Sequence, residues 1–331
     1  MGAKSMTIAL VTGANGFMGS HMVDYLLEKG HGVRCVVRKT SDLTNLRGAK
    51  VEYFHCNLTR QESLREALEG VEYVFHFAGK VKARSEAEYI RVNAFSVGTV
   101  AEACLKQPTI RKLLLCSSLA AVGPQLGMEP VNEETKPHPI SIYGKSKLQG
   151  EEILAKICGD KIPWCIVRPT GIYGPRDTEI FLYFKMVNKG LKILVSGGDR
   201  RVSMIYARDI ARFCWLAATK SPSGETFLAS DGEGYTWEQL SGYIAQALKR
   251  RTVTIKIPLW FTSMAAAVNE KWAGINGEIA TLNREKAREL RAKGWVCSIG
   301  KARSVLGFEP EYKAKEGIAL TADWYRENGW L

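Results

Sequence analysis

The stretch that decides the fold is VTGANGFMGSH, residues 11–21. It places Gly13, Gly16 and Gly19 between an apolar run that predicts a buried strand and a run with apolar residues at helical spacing. Glycine allows a tight turn and lets phosphate oxygens approach the backbone, and the start of the following helix offers free N–H groups and a positive dipole end. The strand–loop–helix context therefore predicts a pyrophosphate-binding loop.

Segments with strand and helix patterns alternate through the first half of the chain. Continuous apolar strands separated by helices indicate a parallel sheet covered on both faces, and right-handed crossovers make it doubly wound. We predict an α/β fold with a dinucleotide-binding Rossmann domain over residues 6–170. A smaller α+β substrate-binding domain is predicted over 171–331, with some segments returning to the sheet. The predicted strands are 7–13, 32–38, 50–58, 71–79, 111–118 and 163–169, and the predicted helices are 20–30, 61–70, 89–107, 143–158, 235–250 and 281–294.

The bulk composition argues against several classes of protein. Of the 331 residues, 46% are hydrophobic and 24% are charged, as in ordinary globular chains. We find no run of about 18 apolar residues and no secretory pattern, so we expect no stable membrane insertion and a cytoplasmic location. The net charge of +12 comes from basic residues spread along the chain, which predicts a surface that favours anionic cofactors or substrates and not nucleic acid.

Eight cysteines and five histidines are scattered along the sequence. No two cysteines form a C-x-x-C pair and most lie in apolar runs, so we expect buried free thiols in a reducing compartment. The histidines show no ligand spacing. We therefore predict no metal site.

The end of the second predicted strand bears on the choice of dinucleotide. In sheets of this kind a carboxylate there binds the 2′-hydroxyl of an NAD ribose. This chain has Arg38 and Lys39 at that place, so no acid repels a 2′-phosphate and two cations can bind it. We favour NADP, with NAD as the alternative if Arg38 only stacks on the adenine ring.

Nearly end to end, the chain resembles the extended short-chain dehydrogenase/reductase family, in its epimerase/dehydratase and 3β-hydroxysteroid dehydrogenase/dihydroflavonol reductase branches. The order and spacing of its motifs are specific, although each motif is modest by itself. The resemblance implies an enzyme that binds NADP or NAD and a small-molecule substrate, and that can form a homodimer through its long helices. The motifs are TGANGFMG (12–19), VFHFAG (74–79), Asn93, LLLCSSLAAVG (113–123), YGKSK (143–147), RPTGIYGPRD (168–177), LGFEP (306–310) and WYRENGWL (324–331).

The resemblance also implies roles for individual residues. Tyr143 is the implied acid/base, Lys147 its partner and Ser118 the third catalytic residue, with Ser117 as the alternative serine. Asn93 matches the asparagine that accompanies this trio in the family. The expected cofactor-binding residues are Gly13, Asn15, Gly16, Phe17, Met18, Gly19, Arg38, Lys39, Asn57, Leu58, Phe77, Ala78, Gly79, Tyr143, Lys147, Pro169, Thr170 and Gly171.

These residue types suit hydride transfer. Removing a hydride from a secondary alcohol requires that its O–H proton leave at the same time, and a free tyrosine titrates near pH ~10, too high for a base at neutral pH. A nearby ammonium and an oxidised nicotinamide favour the phenolate, so we expect Lys147, one helical turn after Tyr143, to lower the pKa of the phenol. Lys147 can also bond the ribose hydroxyls, Ser118 can orient the substrate oxygen, and Tyr143 donates the proton when a carbonyl is reduced.

Three details bear on the reaction. The 4,6-dehydratases of the family carry Asp-Glu directly after the catalytic serine or threonine, where this chain has Leu119 and Ala120. Nucleotide-sugar enzymes commonly have an asparagine where this chain has Thr170. They also often have an arginine that binds the substrate diphosphate, at the position that Val202 occupies here, and only a one-residue shift of the alignment would place Arg201 there. We therefore predict a net alcohol/ketone oxidoreductase. A nucleotide-sugar epimerase with tightly bound NAD is the alternative, and the intact tyrosine–lysine pair disfavours a non-catalytic dinucleotide sensor.

Three weaker signals remain. The segment PLWFTSMAAAVNEKW (258–272) mixes aromatics with a small-residue helix, and we favour a cap over the smaller domain's core, with an apolar cleft or a membrane contact as alternatives. Arg176 and Asp177 either touch substrate or only set a turn. Asn57 stands where the family often has an aspartate that contacts the adenine amine, and we expect its amide to reach that group.

Overall fold

The computed structural model describes residues 6–196, 198–275 and 284–331. The strands are β1 (Ile8–Thr12), β2 (Gly32–Val37), β3 (Glu52–His55), β4 (Tyr73–His76), β5 (Lys112–Cys116), β6 (Trp164–Pro169), β7 (Gly171–Tyr173), β8 (Leu191–Val195), β9 (Arg201–Val202), β10 (Met204–Tyr206), β11 (Glu225–Ala229), β12 (Tyr235–Thr236), β13 (Val253–Ile257) and β14 (Gly294–Trp295). The helices are α1 (Phe17–Glu28), α2 (Arg65–Leu68), α3 (Glu86–Ile90), α4 (Ser96–Cys104), α5 (Ile142–Cys158), α6 (Phe181–Asn188), α7 (Ala207–Lys220), α8 (Trp237–Leu248), α9 (Leu259–Ile275), α10 (Arg284–Arg291) and α11 (Ala314–Glu327).

The main sheet of the described chain is parallel and has seven strands, in the order β11-β6-β5-β4-β1-β2-β3. From β1 the chain winds outward through β2 and β3, and it then returns so that β4 pairs with the other side of β1. The fold is therefore the predicted doubly wound α/β sheet. Ligands of such sheets bind at the carboxyl ends of the strands where the order reverses, here between β1 and β4.

The strand at one edge of this sheet comes from the second half of the chain. β11 pairs in parallel with β6 along its whole length. One face of the sheet shares a core with the second half, because Phe213 of α7, Phe227 of β11 and Phe308 pack with Met22 and Leu26 of α1. A separate apolar cluster joins α6, α8 and α11. The boundary at residue 170 stays a prediction.

Several element boundaries differ from those predicted, each for a local reason. Helix α1 begins at Phe17 and not at residue 20, because Gly16 already serves as its N-cap. The predicted helix 89–107 begins earlier, at Glu86, because the Ser85 side chain accepts a hydrogen bond from the Glu88 N–H, and a π turn interrupts it at Arg91–Phe95. The predicted helix 61–70 is a 3₁₀ turn followed by the four residues of α2.

Three further observations concern the chain as a whole. All eight cysteines are buried free thiols, as predicted. Among the described residues, no helix combines the length and the apolar character needed to cross a membrane. The predicted helix 281–294 is seen as Arg284–Arg291, and residues 281–283 lie outside the described part of the chain.

Candidate active site

The glycine-rich loop passes very close to the end of β4. Gly13 has φ +65°, and a Cβ atom added there would lie 2.8 Å from the Ala78 nitrogen. A Cβ atom at Gly19 would lie 2.1 Å from the Gly13 carbonyl oxygen. Gly16 occupies the N-cap of α1 and has no side chain to bond the first-turn N–H groups, so no capping side chain competes for them with a bound phosphate. The loop thus fits the pyrophosphate of a dinucleotide, as the glycine pattern indicated.

Hydrogen bonds fix the loop to the turn that follows β2. Asn15 donates its side-chain amide to the Asp42 carbonyl at 3.1 Å, and Asn45 donates to the Asn15 carbonyl at 3.0 Å. Arg38 and Lys39 are exposed at the start of this turn. The two cations therefore stand beside the phosphate loop, on a turn whose backbone is tied to it.

Thr12 and His76 form an uncharged hydrogen-bonded pair next to the glycine-rich loop. Thr12 Oγ1 lies 2.7 Å from His76 Nδ1, and the Ala78 N–H donates to the same hydroxyl at 3.3 Å. Burial, with a smaller contribution from the charge of Lys147, lowers the pKa of His76 to about 3. The imidazole is therefore uncharged at neutral pH and joins β1 to β4 under the proposed cofactor site.

Tyr143 lies at the start of α5, beside Ser118. The Ser118 hydroxyl caps a short turn by accepting the Ala120 N–H at 3.1 Å. Burial raises the pKa of Tyr143 well above its ordinary value, and hydrogen bonding with Ser118 lowers it only in part. The sequence argument expected a lowered pKa, but the protein groups around Tyr143 favour the neutral phenol because burial outweighs the favourable contacts.

Lys147 reaches the carboxyl ends of two neighbouring strands. Its Nζ donates to the Cys116 carbonyl at the end of β5, at 2.6 Å, and a Cβ atom added to Gly79 after β4 would lie 3.9 Å from it. Burial lowers the pKa of Lys147, and the carboxylate of Glu151 acts in the opposite direction. The ammonium thus lies at the edge of the sheet where a ribose would sit, bonded to the backbone.

Asn93 is fully occupied by structural hydrogen bonds. Its amide nitrogen donates to the Lys80 carbonyl at 2.9 Å and to Ser146 Oγ at 3.0 Å, and its Oδ1 accepts the Lys80 N–H at 2.8 Å. A Cβ atom at Gly150 would lie only 2.3 Å from the Asn93 carbonyl oxygen, so α5 crosses the π turn very closely. Asn93 therefore positions α5 and the segment after β4, and its place among the catalytic residues stays a prediction.

A buried ion pair that the sequence reasoning missed lies behind this trio. Arg168 donates through Nε to Glu151 Oε1 at 3.0 Å and through Nη2 to Oε2 at 2.6 Å. Ser117, the alternative serine, donates to the same carboxylate, which leaves Ser118 as the serine beside Tyr143. Two signals could have revealed the pair: Arg168 ends an apolar strand, and Glu151 lies one helical turn beyond Lys147.

Asn57 closes a local turn with its side chain. Its Oδ1 accepts the Thr59 N–H at 3.0 Å and the Thr59 hydroxyl at 2.8 Å, closing a turn after β3. An adenine amine is a hydrogen-bond donor and needs an acceptor, and this oxygen already has two donors. The expected contact to the amine stays a prediction, and it would require the Asn57 oxygen to give up one of these two donors.

The other expected cofactor residues lie along the same edge of the sheet. The Thr170 N–H and hydroxyl both bond the Ala229 carbonyl, at 3.1 and 3.2 Å, so the end of β6 is fixed to β11. Gly171 admits the side chain of Met204, since a Cβ atom there would lie 2.8 Å from its sulfur. Leu58 packs on the core beside β3. The remaining residues flank the glycine loop or end β4 and β6, and they are Phe17, Met18, Phe77 and Pro169.

The two weaker candidates take part in hydrogen bonds within the protein. Asp177 caps a turn by accepting the N–H groups of Glu179 and Ile180, both at 2.9 Å, and Arg176 bonds Asp24 of α1 at 2.6 Å. These contacts support the turn-setting interpretation of both residues.

Arg201 is the residue that a one-residue shift of the alignment would place at the diphosphate-binding position, and its side chain is hydrogen-bonded within the protein. It donates to Asp199 at 3.0 Å and to the Gly234 carbonyl at 3.2 Å. Both partners lie on its own small sheet or the turn beside it, so the guanidinium holds local structure.

The fold and this constellation define an enzyme of the extended short-chain dehydrogenase/reductase class. The chain belongs to the NAD dependent epimerase/dehydratase family, whose sequence profile matches residues 9–229. It is 29% identical to the ceramide reductase of Caulobacter vibrioides, over 100% of this chain and 98% of that protein. It is 31% identical to sterol demethylase protein B of Methylococcus capsulatus, over 97% of this chain and 99% of that one.

The solved structures agree with the fold. A UDP-glucose 4-epimerase of Thermotoga maritima, determined with UDP-glucose, superposes with a TM-score of 0.80 and 24% identity, covering 97% of this chain and 99% of that chain. At this identity the likeness concerns the architecture alone. The family and fold expected from the sequence are thus confirmed.

Proposed function

We propose that the protein is a nicotinamide-dependent reductase or dehydrogenase, which moves a hydride between the cofactor and a secondary alcohol or ketone. The observation that carries the proposal is the placement of the Tyr143 phenol beside Ser118, with Lys147 on the same edge of the sheet as the uncapped glycine loop. A bound nicotinamide dinucleotide would supply the hydride acceptor or donor. The apolar Leu119 and Ala120 after Ser118 argue against an elimination that needs carboxylates there.

Each residue of the trio has a distinct task in the proposal. A tyrosine is neutral at physiological pH, and burial raises the pKa of Tyr143 further, so its phenol can donate a proton to a carbonyl oxygen as the carbonyl is reduced. Ser118 holds the same oxygen by a hydrogen bond. Lys147 binds the ribose hydroxyls and holds its positive charge behind the phenol.

NADP is the proposed dinucleotide. Arg38 and Lys39 are exposed on the turn tied to the glycine loop, where a 2′-phosphate would lie. Arg38→Asp should weaken NADPH binding about tenfold or more and leave NADH binding nearly unchanged, since one charge-assisted contact to phosphate is lost. Titration of both reduced dinucleotides by fluorescence measures this, and an unchanged preference would remove Arg38 from that role.

The proposed substrate is a lipid ketone or the corresponding alcohol. Two relatives that align over nearly the whole chain are named for ceramide and sterol chemistry, which supports an apolar substrate. A 3-keto steroid and a 3-keto sphingoid base are suitable first probes, with NADPH oxidation as the readout. Protein that retains tightly bound NAD through purification and consumes no NADPH would instead support the epimerase.

Tyr143→Phe tests the mechanism. It should reduce NADPH consumption to less than about 1% while leaving dinucleotide affinity within twofold, because only the transferable proton is lost. Tyr89→Phe is the matched control, since this neighbouring ring lies 6.2 Å from Tyr143 and its hydroxyl bonds the Val81 carbonyl at 3.1 Å. A Tyr143→Phe variant as active as the Tyr89→Phe control would refute the assignment.

A further inference from the structure

A small sheet outside the active site carries an aliphatic face. β8 and β13 pair in parallel with the register Leu191↔Val253, Ile193↔Ile255 and Val195↔Ile257. Because alternate residues of a strand point to the same side, these six side chains share one face. None of them is buried or belongs to a core cluster of the described chain, and Val253 is 67% exposed.

Helix α9 extends the apolar surface. It begins two residues after β13 ends, and its first turns expose Trp260 (66%), Met264 (50%) and Phe261 (40%). Trp260 and Met264 are four residues apart and therefore lie on one side of the helix. The cap predicted for this segment thus leaves Trp260 and Phe261 facing solvent. Large exposed apolar patches of this kind mark interaction sites.

The segments that form this surface carry cations and contain no acid, although Lys192 and Lys256 alternate with the aliphatic residues and so lie on the opposite side of the two strands. The sequence has no Asp or Glu between Glu238 and Glu270, or between Glu179 and Asp199. The structure places these segments side by side, since Val253 donates its N–H to the Gly190 carbonyl at 2.9 Å. The seven cations within them are Lys185, Lys189, Lys192, Lys249, Arg250, Arg251 and Lys256.

This side of the molecule borders the active site. Helix α9 packs against α10. Glu285 of α10 accepts the N–H of Ile142, the residue before Tyr143, at 2.8 Å, and Arg288 donates to the Ile140 carbonyl at 3.3 Å. A ligand that approached along α9 would therefore arrive next to the catalytic tyrosine.

We propose that the β8–β13 face and the exposed side of α9 dock on an anionic phospholipid bilayer. The aliphatic and aromatic side chains enter the headgroup region, where Trp is favoured, and the surrounding cations bind lipid phosphates. The positive charge of these segments favours a membrane over a second copy of the chain as the partner. A symmetric dimer through the face would bring the cations of both copies together, whereas an anionic surface complements them. Docking needs no turnover, so it is tested independently of the proposed reaction.

Vesicle flotation tests the proposal with the full chain. Wild-type protein should float with phosphatidylcholine vesicles that contain about a quarter phosphatidylglycerol, and not with pure phosphatidylcholine, because docking needs the anionic charge. Trp260→Ser with Ile255→Thr, and separately Lys249→Glu with Arg251→Glu, should each reduce the bound fraction about tenfold. Met128→Ser is the matched control, because Met128 is a 93% exposed apolar residue outside this surface.

Circular dichroism and dinucleotide affinity show whether each variant is folded. Absence of wild-type binding to the anionic vesicles would overturn the proposal, and so would two folded double variants that bind as well as the Met128→Ser control. A wild-type dimer in sedimentation velocity that either double variant dissociates would also overturn it, because the face would then serve a second copy.

Discussion

The buried Glu151–Arg168 pair gives the sharpest test of how the site is held. Glu151 comes from α5 and Arg168 from the end of β6, and their side chains are 4% and 9% exposed. The Glu151 carboxylate accepts from the Arg168 guanidinium and from the Ser117 hydroxyl. Replacing Glu151 with Gln keeps the volume and one oxygen acceptor but removes the charge. It therefore leaves the guanidinium buried without a counter-charge.

The expected cost follows from that geometry. Breaking a buried ion pair by removing one partner typically costs about 3–5 kcal/mol, because the remaining charge cannot regain its hydration. Removing both charges is often close to neutral. Glu151→Gln should therefore lower the free energy of unfolding by about 3–5 kcal/mol, and Glu151→Gln with Arg168→Met should recover part of that loss. Glu152→Gln, an exposed neighbour on the same helix, should change it by less than about 0.5 kcal/mol.

Urea unfolding followed by tryptophan fluorescence and circular dichroism measures these differences. The prediction is wrong if the free energy of unfolding of Glu151→Gln lies within about 1 kcal/mol of that of the Glu152→Gln control. It is also wrong if the double variant is no more stable than Glu151→Gln alone. The same variant has an electrostatic readout. Because the Glu151 charge opposes the effect of burial on Lys147, its loss should lower the pKa of Lys147 further. Dinucleotide affinity should then begin to fall at a lower pH than in the wild type.

Two other outcomes follow from the phosphate loop and its support. Gly19→Ala should abolish dinucleotide binding and cost about 1–3 kcal/mol of stability, because its Cβ atom would meet the Gly13 carbonyl. A Cβ atom at Gly242 on α8 meets nothing within 4 Å, so the control Gly242→Ala should be neutral or stabilising. Calorimetric binding and urea unfolding measure the two effects. Buried His76 has a pKa of about 3, below its unfolded value near 6.5, so the unfolded chain binds more protons between these values. The free energy of unfolding should therefore fall as pH drops through that window, by up to about 5 kcal/mol. His76→Gln should lose less stability between pH ~7.5 and ~4.5, and an unchanged loss would assign the acid sensitivity to other groups.

The features that the sequence predicted correctly are those with a local cause. The glycine loop follows from three glycines between a strand and a helix, and the parallel sheet follows from continuous apolar runs separated by helices. β11 could not be predicted as an edge strand of the main sheet, because its pairing with β6 depends on a contact between segments some sixty residues apart. The π turn at Asn93 and the close crossing at Gly150 likewise arise from packing between two helices.

The site residues show the same division. The three proposed catalytic residues lie at the expected edge of the sheet, because each belongs to a short sequence motif beside a strand end or a helix start. They are Ser118, Tyr143 and Lys147. Asn57 could not be judged from its position, since the threonine two residues later takes its acceptor. Glu151 and Arg168 are charged residues in buried surroundings, and only the structure shows that each is the other's partner.

Burial and charge around Tyr143 and Lys147 bear on the protonation state of the proposed proton donor. The sequence spacing predicted an ammonium that lowers the pKa of the phenol, but Lys147 donates to the Cys116 carbonyl and burial dominates at both groups. Burial acts against the charged form of either residue, so it raises the pKa of Tyr143 and lowers that of Lys147. A neutral phenol is already in the form that donates a proton. The protein groups of the site therefore keep Tyr143 protonated, which is the form that the proposed reduction of a carbonyl requires. In the proposed reverse reaction, the positive charge of an oxidised nicotinamide would favour the phenolate.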